Sequence, residues 1–138
     1  MQRVIIIFIA MGCFGLGLVA QSAEKFTSSF GAPNLIPPDQ AFVVSQPGKN
    51  VIEIFIAEGT YLYDLRTQVQ NDDGELLKTN RSEAKMYEDS LLGPTLIHRK
   101  LLRMIVIDAP KIMVLTYQGC ADIGFCYQPQ QMELLFSR

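Results

Sequence analysis

Cys120 and Cys126 stand six positions apart in the run Thr116-Tyr117-Gln118-Gly119-Cys120-Ala121-Asp122-Ile123-Gly124-Phe125-Cys126-Tyr127, and the third cysteine, Cys13, lies far away in an apolar N-terminal stretch. A thiol pair at this spacing offers three chemistries: a structural bridge, a thiol–disulfide exchange centre, or two ligands of a metal site. Six residues of extended chain reach about 20 Å, whereas a disulfide needs Cα atoms about 4.4–6.8 Å apart, so a bridge requires the chain to reverse. Gly119 and Gly124 suit such a reversal, because glycine enters positive φ without steric cost. Closing so small a ring removes only local unfolded-state entropy, about 2.4 kcal/mol on the chain-entropy formula, and ties no distant parts of the fold together. The metal reading has the least behind it: zinc takes four ligands, and His98 is the one histidine in the chain. Staple and redox centre both remain open on spacing alone.

Exchange requires two thiols within bridging distance. A thiolate attacks a disulfide sulfur, and a second thiol must then release the mixed intermediate. Thiols of low pKa sit beside a cation or a helix N-terminus. The loop instead offers Tyr117, Asp122, Phe125 and Tyr127, with no Lys or Arg between positions 112 and 137. The expected thiol therefore has an ordinary or raised pKa, reacts slowly with bystanders, and is activated inside a docked complex.

The N-terminus bears on which chemistry is open. Met1-Gln2-Arg3 precedes 17 uncharged residues, Val4 to Ala20, and then Gln21-Ser22-Ala23. That order of charged, apolar and small residues is the pattern of a secretory signal peptide over residues 1–23. A retained anchor or a lipoprotein site at Cys13 are the alternatives, and all three place residues 24–138 outside the cytoplasm, where disulfides persist. The remaining segment is long enough for one domain with its own core. At a formal net charge of −2 for the whole chain, the protein lacks the basic footprint of a nucleic-acid binder. Residues 24–39, with Pro33, Pro37 and Pro38, read as an extended lead-in arm.

The elements that must hold the cysteines read as strands. In Tyr61–Gln70, Tyr61, Tyr63, Leu65, Thr67 and Val69 share one face of a single half-buried strand. Val51–Ala57 reads as a strand buried on both sides, followed by a turn at Glu58-Gly59. Met104–Ile107 and Ile112–Tyr117 flank Asp108-Ala109-Pro110-Lys111 like the arms of a hairpin, and Gln131–Phe136 reads as a closing strand. Only residues 81–92 have helical character. Many short strands with turn signals between them argue an all-β antiparallel sandwich.

The cysteine run, extended through Gln128-Pro129, resembles the active-site segment of the amino-terminal periplasmic domain of DsbD, the membrane thiol:disulfide interchange protein of Gram-negative bacteria. Pro38-Asp39-Gln40-Ala41-Phe42 resembles the family's opening strand and Tyr61-Leu62-Tyr63 its aromatic strand. Asp89-Ser90-Leu91-Leu92-Gly93, with Ile97 and Arg99 after it, sits where the family has a cap loop. The resemblance spans most of residues 34–136.

It implies an immunoglobulin-like sandwich whose only redox centre is the Cys120–Cys126 pair, with no bound cofactor. Cys126 would attack partners and Cys120 would resolve the mixed disulfide. Electrons would come from a thioredoxin-like donor and pass to periplasmic acceptors, such as a DsbC-like isomerase or a cytochrome-maturation thioredoxin. The family's transmembrane and thioredoxin-like domains are not in these 138 residues, so a separate membrane electron-transfer protein is an expected further partner. The cap would open on docking, with Leu91 standing where the family has an aromatic ring.

Plainer readings stand beside these. Tyr61 and Tyr63 read as core aromatics unless the resemblance holds, Asp89–Gly93 as a surface loop, Asp122 as a turn residue and His98 as a solvated side chain. The competing class is a non-enzymatic binding module with a structural disulfide, whose contact residues would be Tyr117, Phe125 and Tyr127.

Overall fold

The computed structural model describes residues 35–136; the expected signal segment, Cys13 and most of the lead-in arm lie outside them. Pro38–Ala41 forms one helical turn, α1, with proline at its first position, where the missing N–H is not needed. Only from Phe42 does the expected opening strand begin. Twelve strands follow: β1 (Phe42–Gly48), β2 (Val51–Ile56), β3 (Thr60–Tyr63), β4 (Gln68–Gln70), β5 (Thr79–Arg81), β6 (Lys85–Asp89), β7 (Gly93–His98), β8 (Leu101–Val106), β9 (Ile112–Tyr117), β10 (Gly119–Ala121), β11 (Phe125–Cys126) and β12 (Gln130–Leu135).

They form three antiparallel sheets, ordered β1-β2-β8-β5, β11-β10-β3-β7-β6 and β12-β9-β4. The first sheet sends Phe42, Ile52, Ile54, Ile56, Leu102, Met104 and Val106 inward. They meet Val69, Met113, Leu115 and Leu134 of the third sheet, and Leu62 and Ala121 of the second, in one apolar cluster. This two-layer arrangement is an immunoglobulin-like antiparallel β-sandwich. Among the described residues no helix is long and apolar enough to cross a membrane.

Several sequence expectations are corrected. Residues 81–92 are not helical. β6 pairs along its whole length with β7, Lys85 opposite Ile97 through Asp89 opposite Gly93, and sheet pairing overrides a weak local propensity. β8 and β9 are not a hairpin, since they pair in different sheets and face each other across the core. Asp108 at φ 54° and Pro110 turn the chain from one layer to the other.

Nor is Tyr61–Gln70 one strand. Thr67 donates its N–H to the Asp64 carbonyl and its hydroxyl to the Tyr63 carbonyl. This turn moves the chain from the second sheet to the third and leaves Leu65 exposed. β2 is buried on one side only, with Phe55 on the open face. The turn at Glu58-Gly59 and the closing strand form as expected, Gly59 at φ 76° and β12 against β9.

Candidate functional site

β3 is central to the second sheet, between β10 and β7, and all four of its residues are buried. Strand alternation splits them. Leu62 enters the main core, while Tyr61 and Tyr63 project from the opposite face. Directly opposed residues share a face, so the pairing of Tyr61 with Cys120 and of Tyr63 with Ile97 puts all four side chains on that second face. They form a separate small cluster, against which Tyr87 and Cys126 pack.

Cys120 on β10 lies directly opposite Cys126 on β11, and the two are joined in a disulfide with Cα atoms 3.9 Å apart. The Tyr127 N–H donates to the Gly119 carbonyl one step along. Cys120 and Cys126 therefore occupy a non-hydrogen-bonded position of the ladder, where opposed side chains approach most closely. The chain reverses through Asp122-Ile123-Gly124, with the Gly124 N–H donating to the Ala121 carbonyl and Gly124 at φ 86°. Three-residue hairpin loops commonly place such a residue there. Gly119 serves otherwise than expected. A Cβ there would stand 2.2 Å from the Tyr61 carbonyl oxygen and 2.6 Å from the Phe42 ring, so this glycine permits close packing rather than a turn.

One carboxylate organises the face. Asp89, at the end of β6, is only 4% exposed. Its Oδ2 accepts from the hydroxyls of Tyr61 and Tyr63, each at 2.7 Å, and its Oδ1 from the N–H groups of Leu91 and Leu92 at 2.8 and 2.9 Å. Burial by itself would raise the Asp89 carboxyl, but these four donors outweigh it and bring it down to about 2. Burial, reinforced by Asp89, pushes both tyrosine hydroxyls upward, so they remain protonated donors.

The Tyr63 oxygen lies 3.1 Å from Cys120 Sγ and 3.9 Å from Cys126 Sγ. With its proton directed to Asp89, that oxygen presents a lone pair to the sulfurs, which carry no proton in the disulfide and can donate to it only as reduced thiols. Cys120 is fully buried; Cys126, on the edge strand, is only partly so.

The cap segment divides. Asp89 is built into the site, and Gly93 at φ 70° closes the turn. Leu91 is 71% exposed and Leu92 is also exposed, while the ring packed on the disulfide cluster is Tyr87. Tyr117 and Tyr127 belong to the main core, stacked edge-on against Phe42. Phe125 is partly exposed and stacks on Tyr127. Asp122 is in the hairpin loop, paired with Arg99. His98 is not solvated. It is buried, with Nε2 2.8 Å from Asp64 Oδ1, and Arg81 holds the same carboxylate at 3.0 Å.

Sequence reasoning did not reveal Tyr87 or Arg66, and it named Arg99 only beside the cap segment, with no role. Arg66 stacks on the Tyr63 ring at 5.2 Å, and Arg99 on Tyr61 and Tyr87 at 5.1 and 5.4 Å. Tyr87 carried a usable signal, since it lies two positions before Asp89 on a strand and hence on the same face. Among the described residues no three His, Cys, Asp or Glu side chains are grouped to hold a metal ion.

Fold and site together define an immunoglobulin-like domain bearing a two-cysteine hairpin at the edge of a sheet. The family model for the N-terminal part of the thiol:disulfide interchange protein DsbD matches residues 32–137, and the chain belongs to that family. It is 31% identical over 131 residues to the thiol:disulfide interchange protein DsbD of Salmonella typhi, and 30% identical to that of Escherichia coli K12. Each alignment covers 88% of this chain but 23% of the relative, so the chain spans about a quarter of the length of these proteins.

Two solved Neisseria meningitidis structures are similar. The reduced DsbD N-terminal domain has TM-score 0.64 and 28% identity, covering 75% of this chain and 90% of that one. The DsbD N-terminal domain in complex with the PilB N-terminal domain has TM-score 0.63 and 27% identity, covering 75% and 88%.

Proposed function

We propose that the chain is a thiol–disulfide electron carrier of the periplasm, which takes reducing equivalents from a thioredoxin-like donor and passes them to disulfide acceptors of thioredoxin fold. The observation that carries this reading is the unequal burial of the two sulfurs. Cys120 is sealed against Tyr63, whereas Cys126 lies on a two-residue edge strand. A staple has no need of such asymmetry, but an exchange centre needs one accessible attacker and one sheltered resolver. A relative of this domain is solved in complex with another protein domain, which supports docking as part of the cycle.

In the reducing direction the Cys126 thiolate attacks one sulfur of the acceptor disulfide. The acceptor's S–S bond breaks and its other sulfur leaves as a thiolate, giving a mixed disulfide. Cys120 then loses its proton and attacks Cys126 Sγ, expelling the acceptor's second thiolate. Two electrons and two protons have passed to the acceptor, and the Cys120–Cys126 disulfide has formed. The Tyr63 oxygen, its own proton held by Asp89, accepts from the Cys120 S–H and favours the thiol over the thiolate until that second step. Of the cap expected at Asp89–Gly93, the exposed Leu91 and Leu92 move aside when the partner docks, while Asp89 stays with the tyrosines.

Trapping tests the assignment. Cys120→Ala, mixed with an oxidised thioredoxin-fold isomerase, is expected to accumulate a stable mixed disulfide through Cys126, and Cys126→Ala to accumulate none. Trapping through Cys120 alone, or by neither variant, would count against the carrier reading.

A further inference from the structure

Arg99 ties the tip of the redox hairpin to the tyrosines beneath it. We infer that it is a positioning residue, which holds Cys126 opposite Cys120 and thereby sets the dithiol–disulfide equilibrium of the pair. This rests on the exchange reading above and adds to it the element that controls how readily the disulfide forms.

The hairpin needs such an element. β11 is two residues long and lies at the edge of its sheet. Besides the disulfide, it is attached by the Tyr127 N–H to the Gly119 carbonyl, by the Gln118 side-chain amide to the Tyr127 carbonyl, and by the Phe125 ring on Tyr127. The two hydrogen bonds act at the base of the hairpin, and the Gly124 N–H to the Ala121 carbonyl closes its loop. At the tip, the Asp122 N–H donates to the Gly59 carbonyl, and the Asp122 carboxylate is gripped by Arg99 with both ends of its fork, Nη2 to Oδ1 at 2.7 Å and Nη1 to Oδ2 at 3.1 Å.

Arg99 is itself fixed. It follows β7 directly, donates to the Thr60 carbonyl at 3.3 Å, and lies over the rings of Tyr61 and Tyr87. A planar guanidinium can pair bidentately and stack at once. The grip therefore joins the hairpin to Tyr61, which is opposite Cys120 in the ladder, and to Tyr87 on β6.

An exposed ion pair taken alone contributes little to stability. What distinguishes a positioning role is linkage. The disulfide orders the hairpin through β11 and the Arg99 grip orders it through the loop that leads into β11, so each makes the other easier to form. Without the grip, the dithiol hairpin relaxes and recovers part of the loss, whereas the disulfide form cannot. A variant then loses more stability oxidised than reduced, and by the closure of that cycle its disulfide forms less readily.

The test is equilibration of the whole domain with glutathione, together with denaturant unfolding of each variant in both redox forms. Arg99→Gln and Asp122→Asn are each expected to lower the equilibrium constant for disulfide formation at least threefold, moving the potential up by about 14 mV. The double variant should go no further, and Arg99→Lys, which keeps the charge without the fork, should recover less than half. Asp122 is an exposed loop residue, so its variant separates the grip from the tyrosine stacking. If the wild type equilibrates with glutathione while all variants match it, or both redox forms lose equal stability, this inference fails alone. If the wild type does not exchange at all, the carrier reading fails and this inference falls with it.

Discussion

Leu62 and Tyr63 are adjacent on β3, yet they enter two different interiors. Leu62 joins an almost wholly apolar core shared by all three sheets. Non-directional burial holds that core together, and its members need only be apolar and of suitable volume. Tyr63 joins a cluster of two tyrosines, one isoleucine and one cysteine, with Tyr87 and Cys126 packed against it, arranged around a buried carboxylate. Here each hydroxyl has a specific acceptor, and the arrangement is directional. A buried polar network is stable only when every member is satisfied, and among the described residues no buried side-chain nitrogen or oxygen lacks a hydrogen-bond partner. The first interior makes the fold, and the second makes one pair of sulfurs behave in one way.

The widest separation between the two interiors is expected from opposite variants. Cys126→Ala should reduce exchange to background in a disulfide-reduction assay while leaving the main core folded. Leu115→Ala, fully buried on β9, should cost about 2–5 kcal/mol in denaturant unfolding and leave the glutathione equilibrium unchanged. A large redox shift from Leu115→Ala would merge the two interiors into one.

Asp89 sharpens the contrast through pH. Its carboxyl titrates at about 2 when folded, against an ordinary 3.8. The folded state therefore holds fewer protons than the unfolded chain between those values. The resulting stabilisation, about 2 kcal/mol, is present in full above pH 4 and is lost as pH falls toward 2. Asp89→Asn should remove this component of the acid dependence and lower stability at pH 7, both read from urea unfolding at several pH values. A variant with the wild-type acid profile would show that the tyrosine–carboxylate network is not what the carboxyl is held by. The smallest effect is expected at Gly124. Its φ of 86° makes Gly124→Ala cost about 1–2 kcal/mol, with the disulfide still able to form, as a thiol titration would show.

The sequence pattern located the two interiors unequally. Period-two runs such as Ile52, Ile54 and Ile56 disclosed the apolar core, because alternation is a local property of strands. The sulfur pair and the Gly124 turn were also legible, since both depend on short-range spacing. The β8–β9 crossover, the turn at Asp64–Thr67 and the burial of His98 were not. Each depends on which sheet a strand joins, and that is decided by contacts distant in sequence. Arg99 was named only beside the cap, and its stacking on Tyr61, 38 residues away, was missed for the same reason, whereas Arg66 was missed although Tyr63 is only three residues before it. A search for cations confined to the cysteine loop finds none, whereas the fold brings both guanidinium groups onto the tyrosines from the connections after β3 and β7. Asp89 was found through family resemblance, and its role as a buried acceptor of four hydrogen bonds emerged only with the side chains in place.

The central claim is that the Cys120–Cys126 disulfide is a working redox centre rather than a staple, and its reduction potential tests that most directly. Equilibrated with glutathione, the domain should titrate within the carrier range, roughly −270 to −120 mV. A potential below about −300 mV would contradict the account and leave an extracytoplasmic binding module with a structural bridge.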